Sequence, residues 1–287
     1  AETLLRNADA AMYRAKERGG DHFQMYTREL TAHAFEQLEL ESRLRRALAQ
    51  EEFVLHYQPR VDLAGRRVVA FEALLRWADP ERGLIMPRDF IHAAEASGLI
   101  LPIGEWVFRT ACGQARKWHD EGCRDLFVSV NVSPRQFHRD DLTRTIGEAL
   151  AAAELDPRYL ELEVDESCVM RNAEGSMRIL RGLKDAGVRV LISGFGAGYS
   201  SISYLRRFPI DGLKLDRSFS GADKRSLATA ALGMAKALNL KVIGEGVETQ
   251  ETAEFLQSLS CDDMQGYLVS APVPPQECQR FMPTGIN

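Results

Sequence analysis

Polar side chains recur along the sequence at the places where buried strands would end. They are Glu72, Asn131, Glu163, Lys214, Asp216, Glu245 and Gln265. In an α/β barrel the C-terminal ends of the strands share one mouth, so these side chains would converge. Oxygen ligands from several strands suit hard cations such as Mg²⁺ or Mn²⁺, and a lysine among carboxylates suits a positioned cation or a base for water. Any one acid alone is better explained as an ion-paired or solvated residue, but the whole set favours metal-assisted hydrolysis.

One strand end departs from this pattern. Residues 188–192 read as a buried strand, and a glycine-rich turn follows them directly. Acidic metal ligands would be expected at the end of such a strand. Ser193 and Gly194 stand there instead, and neither supplies an anionic oxygen. This contrast favours binding over catalysis.

Composition excludes several classes of protein. The chain has 287 residues, a net charge of −5 and a pI near 5.8. This charge balance argues against a general binder of nucleic acid polymers. The five cysteines form no C-x-x-C pair, so we expect a reduced, cytoplasmic protein without a zinc site. No apolar run is long enough to span a membrane.

Strand and helix patterns alternate from residue 51 onwards, which predicts an α/β fold of the (β/α)8 TIM-like barrel type. The predicted strands are residues 53–58, 67–75, 126–132, 159–164, 188–193, 210–215, 240–245 and 263–267. The segment Asp62-Leu63-Ala64-Gly65 is typical of a hairpin turn. We therefore expect the first strand to pair antiparallel.

The part of the chain before residue 51 lacks this alternation of strand and helix patterns. Residues 1–27 read as a helix and a short strand, which cannot form a core alone, so they are interpreted as the end of a preceding domain. Residues 28–50 read as one charged helix with an apolar face. It is interpreted as a linker helix or a dimer helix, with packing on its own domain as the alternative. The domain prediction is thus residues 1–27, 28–50 and 51–287.

An ordered set of motifs covers nearly all of residues 50–283. It comprises Tyr57-Gln58-Pro59, Glu72-Ala73-Leu74-Leu75-Arg76-Trp77, Ser129-Val130-Asn131-Val132-Ser133, Leu162-Glu163, Gly198-Tyr199-Ser200-Ser201, Leu213-Lys214-Leu215-Asp216, Glu245-Gly246-Val247-Glu248-Thr249 and Gln265-Gly266-Tyr267. This set resembles the EAL domains, the cyclic di-GMP phosphodiesterases. Residues 1–27 likewise resemble the C-terminal end of a GGDEF domain.

The resemblance assigns roles by position. Four residues match metal-site positions: Glu72, Asn131, Glu163 and Asp216. Lys214 matches the catalytic lysine, Glu245 the glutamate that supports the attacking water, and Glu166 a residue that steadies the loop after β-strand 188–193. The implied ligand-binding positions are Gln58, Glu72, Leu74, Leu75, Arg76, Asp89, Asn131, Arg135, Glu163, Asp216, Glu248, Gln265 and Pro272. Phe137 is expected in the core, with contact to a guanine as the alternative.

The departures from the family pattern shape the functional prediction. Active members carry two aspartates where this chain has Ser193 and Gly194, and a threonine at each of the positions of Ala197 and Asp165. We therefore expect a catalytically inactive receptor, in which the catalytic and metal-binding residues are vestigial. Cyclic di-GMP would be the ligand, with no cofactor required, and Mg²⁺ or Mn²⁺ only in a residual enzyme.

The same resemblance suggests a cellular role. The chain is similar to FimX-type regulators of type IV pili and twitching motility, which implies a PilZ-type adaptor protein as a partner. Two alternatives stay open: a weak metal-dependent cyclic di-GMP phosphodiesterase, and a nucleotide-independent protein scaffold.

Overall fold

The computed structural model describes residue 12 and residues 28–195, 202–216 and 225–282. The chain divides into two units, residues Ala1–Phe53 with Trp77–Leu99, and residues Val54–Arg76 with Ile100–Asn287. The predicted GGDEF-like end, residues 1–27, lies outside the described residues except for residue 12. That prediction and the predicted boundaries near residues 27 and 50 therefore stay predictions.

Strands whose pairing residues lie in the second unit close into a barrel. Their bounds are β1 (Phe53–Asp62), β2 (Val68–Asp79), β4 (Phe127–Val132), β5 (Leu160–Asp165), β6 (Arg189–Phe195), β7 (Gly212–Leu215), β8 (Lys241–Gly244) and β9 (Asp263–Gln265). They neighbour one another in the order β1, β9, β8, β7, β6, β5, β4, β2, and β2 pairs back to β1. The strands from β2 to β9 in this ring pair in parallel, while β1 pairs antiparallel to β9. The predicted barrel with an antiparallel first strand is confirmed.

The barrel strands are buried on both faces, as parallel strands covered by helices must be. In β5, Leu160, Leu162 and Val164 are fully buried together with the two intervening glutamates. The turn between β1 and β2 is closed where the Asp62 amide donates to the carbonyl of Arg67. This short connection forces the reversal of direction that makes β1 antiparallel.

Helices follow the strands along the chain of the second unit. Their bounds are α3 (Ile100–Asp120), α4 (Pro134–Phe137), α5 (Leu142–Ala153), α6 (Glu166–Arg171), α7 (Ala173–Asp185), α8 (Ile202–Leu205), α9 (Arg225–Ala237) and α10 (Gln250–Ser258). The longest, α3, buries residues at helical spacing, including Ile103, Val107, Ala111, Ala115 and Trp118. Among the described residues, no helix combines the length and the apolar character needed to cross a bilayer.

The first unit contains α1 (Arg28–Ala49), α2 (Ile91–Ser97) and the short strand β3 (Gly83–Ile85). Leu44 and Ala47 of α1 are fully buried, and the Trp77 indole donates to Glu52 at 2.8 Å. The helix predicted for residues 28–50 is present with nearly the predicted bounds. It packs within the first unit, and the interpretations given for its role stay predictions. Strand β3, which pairs with the end of β2, was not predicted.

A buried cluster of charges lies at the N-terminal ends of the parallel strands. Arg60 of β1 contacts Glu161 of β5 at 2.6 Å and Asp263 of β9 at 3.0 Å. Asp263 also pairs with Lys241 at 2.7 Å, and Glu161 with Arg189 at 3.5 Å. Arg60, Glu161 and Asp263 are each at most 2% exposed. The cluster therefore ties three strands together across the barrel interior, where a lone charge would be very unfavourable.

We expect Arg60→Met to destabilise the protein by about 3 kcal/mol, because Glu161 and Asp263 would lose their shared counter-charge in a buried place. Urea unfolding of both proteins measures the change. Arg181→Met, at an exposed position, serves as the matched control and should change stability by less than about 0.5 kcal/mol. A loss below about 1 kcal/mol for Arg60→Met would show that Lys241 and Arg189 suffice to neutralise the acids.

Candidate functional site

The ammonium group of Lys214 lies at the centre of the opposite, C-terminal end of the barrel. Lys214 is fully buried, and its Nζ lies 2.8 Å from Glu72 Oε2 and 2.6 Å from Glu163 Oε2. Glu245 Oε1 lies farther away, at 3.7 Å. These residues come from β2, β5, β7 and the end of β8, so the barrel brings together side chains far apart in sequence. The convergence predicted from the strand ends is present for these four residues.

Hydrogen bonds fix both glutamates in place. Glu72 accepts from Asn131 Nδ2 at 2.6 Å and from Gln265 Nε2 at 2.7 Å. Glu163 accepts from the hydroxyl of Ser129 at 2.5 Å. Ser129 was not among the predicted site residues. Its position two residues before Asn131 was the available signal, because alternate residues of a strand share one face.

The two glutamates differ in protonation. Burial acts to raise the pKa of Glu72, but Lys214 and the hydrogen bonds from Asn131 and Gln265 hold it below its usual range. Burial and the charge of Glu72 raise the pKa of Glu163 to about 7, against the attraction of Lys214. Burial acts to lower the pKa of Lys214, but the surrounding glutamates raise it above its usual range. The cluster thus holds a lysine between two glutamates whose pKa values are shifted in opposite directions.

A cavity of about 240 Å³ opens beside this cluster. Its lining residues are Gln58, Asp216, Glu245, Gly246, Glu248, Gln265, Gly266 and Tyr267. Gln58 accepts from Gln265 Nε2 at 3.1 Å and donates to the carbonyl of Ser270 at 3.0 Å. Burial raises the pKa of Glu245. Tyr267 was quoted in a motif but was not predicted as a site residue.

Other predicted ligand positions lie outside the lining of this cavity. Arg76 is 7% exposed; its Nη1 donates to the carbonyl of Leu75 at 2.7 Å, and its buried Nε has no hydrogen-bond partner in the described part of the chain. Leu74, Leu75 and Pro272 are half-buried, Arg135 is exposed on α4, and Glu166 is buried at the first position of α6. Asp89 belongs to the first unit. The ligand roles of these residues stay predictions. Phe137 is fully buried, so its alternative contact with a guanine is not supported.

The end of β6, where Ser193 and Gly194 replace the expected acids, has a distinctive backbone geometry. Gly194 has a φ of +65°, and a side chain added there would begin 3.0 Å from Asp165 Oδ2. Asp165 is paired in register with Ser193 and caps α6 through a bond from the Ser167 amide at 2.8 Å. The carboxylate of Asp165 therefore lies against the backbone of Gly194. Ala197 and the rest of residues 196–201 lie outside the described residues.

The donor chemistry of the site fits a hard cation, since carboxylate and amide oxygens are the ligands that Mg²⁺ and Mn²⁺ prefer. In the described residues, however, no group of three or more His, Cys, Asp or Glu side chains is arranged to hold a metal ion. The ammonium of Lys214 already contacts Glu72 and Glu163. A metal ion would have to compete with it for these oxygens.

We expect Lys214→Met to lower stability in a pH-dependent way. Without the ammonium, the folded-state pKa of Glu72 would rise above its unfolded value, and that of Glu163, which already lies above it, would rise further. The free energy of unfolding would therefore fall as the pH rises past the pKa of an unfolded glutamate. The loss should be about 3–5 kcal/mol at pH 8 and clearly smaller at pH 5. Denaturant unfolding at both pH values measures it, with the exposed Lys117→Met as the control. Equal losses at the two pH values would contradict the assigned role of Lys214.

Comparison with known proteins places this geometry in a family. The model of the EAL domain matches residues 41–272. The chain is 43% identical over 279 residues to the bifunctional diguanylate cyclase/cyclic di-GMP phosphodiesterase MucR of Pseudomonas aeruginosa, covering 96% of this chain and 41% of that protein. It is 40% identical over 283 residues to the cyclic di-GMP phosphodiesterase PdeR of Escherichia coli, covering 97% of this chain and 42% of that protein. The chain thus spans about two fifths of the length of these relatives.

Solved structures agree with these matches. The MucR phosphodiesterase in complex with cyclic di-GMP superposes with a TM-score of 0.81 at 43% identity, covering 83% of this chain and 99% of that one. The FimX EAL domain from Pseudomonas aeruginosa, bound to cyclic di-GMP, superposes with a TM-score of 0.75 at 23% identity, covering 82% and 96%. The likeness to FimX therefore shows a shared fold alone.

These comparisons correct the functional prediction from the sequence. The expectation that the chain is not an enzyme is contradicted, because relatives 40–43% identical to it are named as phosphodiesterases. The prediction of inactivity relied on the missing acids at Ser193 and Gly194. It gave too little weight to Lys214, Glu72 and Glu163, which the chain retains. The role in type IV pili and the PilZ-type partner stay predictions. Since the EAL domain model matches most of the chain, and relatives at least 40% identical span almost all of it, the chain belongs to the EAL domain family.

Proposed function

We propose that this chain binds cyclic di-GMP and hydrolyses one of its phosphodiester bonds in a metal-dependent reaction. The observation that carries the proposal is the buried Lys214 between Glu72 and Glu163, retained in a chain 43% identical to a named phosphodiesterase. A scaffold that contacts only proteins would not need a buried lysine and several carboxylates beside an open cavity, because such groups are costly to bury.

Two cationic side chains are suited to the phosphates of the ligand. Arg76 carries a buried Nε without a hydrogen-bond partner in the described residues, and a guanidinium can hold a phosphate through two parallel bonds. Lys214 supplies a fixed positive charge next to the cavity. Together they would offset the two negative charges of cyclic di-GMP and orient one phosphorus toward the carboxylates.

Glu245 is placed to handle the proton of the attacking water. Its carboxylate is 37% exposed, lines the cavity and lies 3.7 Å from Lys214. Its raised pKa makes it a better acceptor than an ordinary glutamate at neutral pH. In the proposed step the water oxygen bonds to phosphorus, the water proton passes to Glu245, and one P–O ester bond breaks. The leaving oxygen takes up a proton, and the product is a linear dinucleotide.

The residues that would hold a divalent cation are Glu72, Asn131, Glu163 and Asp216. When bound, such an ion lowers the pKa of water and neutralises charge on the phosphate. Ser193 and Gly194 add no carboxylate to this set. Because affinity for hard cations rises with the charge of the ligands, we expect activity to require a high concentration of metal.

The proposal is tested by chromatographic detection of the linear dinucleotide after incubation with cyclic di-GMP and millimolar Mn²⁺. We expect product with Mn²⁺ and none in EDTA. Glu245→Gln should slow its formation by about 10²-fold, because a positioned proton acceptor contributes that much or more. Glu121→Gln, at an exposed position, is the matched control and should leave the rate unchanged. Saturable binding without product at any Mn²⁺ concentration would refute hydrolysis.

Restoring one acid provides a second test. Ser193→Asp should tighten Mn²⁺ binding by about 10-fold, or about 1.4 kcal/mol, because it adds a carboxylate beside the existing donors. Calorimetric titration with Mn²⁺ measures this change without substrate. Gly194→Asp is the contrasting variant: its φ of +65° and the nearby Asp165 should lower stability by about 1 kcal/mol. If Ser193→Asp leaves the Mn²⁺ affinity unchanged, this strand end is not part of the metal site.

A further inference from the structure

One carboxylate stands beside the strand end that lacks acids. Asp165, the last residue of β5, pairs in register with Ser193 of β6, and Glu163 precedes it by two residues on the same strand. Alternate residues of a strand share a face, so Asp165 lies on the same face as Glu163 and one step nearer the open mouth. The fold therefore places an acid next to Ser193, although Ser193 itself supplies none.

The carboxylate of Asp165 lies in the space where a side chain of residue 194 would begin. Gly194 has a φ of +65°, and a Cβ added there would lie 3.0 Å from Asp165 Oδ2. Residues other than glycine rarely adopt this backbone conformation, so position 194 is poorly suited to carry an acid of its own. The negative oxygen that β6 does not supply is thus presented from β5, in the adjoining space.

One oxygen of this carboxylate is held in place and the other is available to a ligand. Asp165 Oδ1 accepts from the Ser167 amide at 2.8 Å and from the Ser167 hydroxyl at 2.5 Å. Asp165 Oδ2 makes no hydrogen bond or ion pair with the part of the chain that the structure describes. The bonds to Oδ1 fix the orientation of the side chain, so little conformational entropy is lost when Oδ2 binds a cation.

The charges at this end of the barrel favour a bound cation. Glu72 and Glu163 share the ammonium of Lys214, and Glu245 lies 3.7 Å from it. Asp165 adds a further acid at the C-terminal end of β5, and no cationic side chain among the described residues pairs with it. Acids at one mouth repel one another, and a divalent cation bound among them would remove this repulsion.

The acids that follow β8 are less able to fill the gap at β6, because their backbone is held firmly. The Val247 amide donates to the carbonyl of Gln265 at 3.0 Å, and a Cβ on Gly266 would overlap the carbonyl oxygen of Val247. Only glycine allows the segments after β8 and β9 to approach this closely. Glu245 and Glu248 flank Val247 on this tightly packed backbone. An acid on β5, which is bonded directly to β6, is better placed.

We propose that Asp165 supplies to the divalent cation the negative oxygen that Ser193 and Gly194 lack. The metal site of this chain would then use β5 where an acid on β6 is expected. This inference rests on the proposed function, because it takes a metal-dependent reaction as given. One or two carboxylates suffice to hold Mg²⁺, which keeps several waters, so the acids need not all touch the ion. This agrees with the finding that, among the described residues, no three acids are gathered around one point.

The test is calorimetric titration of the metal-free chain with Mn²⁺ in the absence of nucleotide. Asp165→Asn removes the charge but keeps the cap on α6, because an asparagine oxygen also accepts from the Ser167 amide. We expect it to raise the Mn²⁺ dissociation constant by about 10-fold. Asp156→Asn is the matched control. Asp156 caps the turn before β5 through a bond from the Arg158 amide at 3.1 Å, at the opposite end of the strand, and its substitution should leave Mn²⁺ affinity unchanged.

Moving the acid back to β6 separates metal binding from a structural effect. In the double variant Asp165→Asn with Ser193→Asp, one carboxylate replaces the other, and the Mn²⁺ affinity should return to within about 3-fold of the parent chain. Asp165→Asn alone should not weaken binding of cyclic di-GMP in EDTA, because it removes a negative charge that repels the phosphates. Thermal unfolding of each variant checks that the fold is kept.

The outcomes distinguish this inference from the proposed function. If Asp165→Asn binds Mn²⁺ as tightly as the parent chain, or weakens binding of Mn²⁺ and of cyclic di-GMP in EDTA alike, the inference about Asp165 is wrong. The proposed function then stands if the parent chain forms the linear dinucleotide with Mn²⁺. If the parent chain neither binds Mn²⁺ nor forms product, both are wrong.

Discussion

The ammonium of Lys214 is the interaction on which the site depends. It contacts glutamates from two other strands while no part of it is exposed, so the carboxylates of Glu72 and Glu163 can share the barrel interior. Without this cation, two acids would face each other in a place of low dielectric constant. Asn131 and Ser129 donate to the other oxygen of each glutamate, and Gln265 donates to the same Glu72 oxygen as the lysine. A site built in this way is charged yet stable. A metal ion could take the place of the ammonium at these oxygens only if the lysine side chain moved.

The barrel carries charges at both ends, but they serve different purposes. At the N-terminal end, Arg60 is enclosed by Glu161 and Asp263, at the opposite end of the same strands that carry Glu163 and Gln265 to the site. At the C-terminal end, Lys214 lies beside an open cavity. The first cluster holds strands in register and the second is available for chemistry. This agrees with the general rule that the N-terminal end of such a barrel serves stability and the C-terminal end carries the active site.

The sequence predicted the barrel because its strands are apolar runs that end in polar residues, and a short hairpin turn gave the direction of β1. It did not predict β3, since three residues with one half-buried side chain carry no periodic signal. Ser129 and Tyr267 were missed for a different reason: a hydroxyl within a strand and an aromatic after it are usually structural residues. The prediction of inactivity failed because it was drawn from two positions. The carboxylate–lysine cluster is assembled from β2, β5, β7 and the end of β8, and its contacts become visible only in three dimensions.

The contact of Gly266 with Val247 joins the segments that follow β8 and β9 into one cooperative piece. Val247 both donates to Gln265 and accepts from Leu268, so the opening of either segment would break the same two hydrogen bonds. Local unfolding would carry Glu245, Glu248 and Tyr267 away from the mouth in a single event. Displacement of the cavity wall and loss of a proton acceptor would then occur together, and sequence drift on either segment would be constrained by the other.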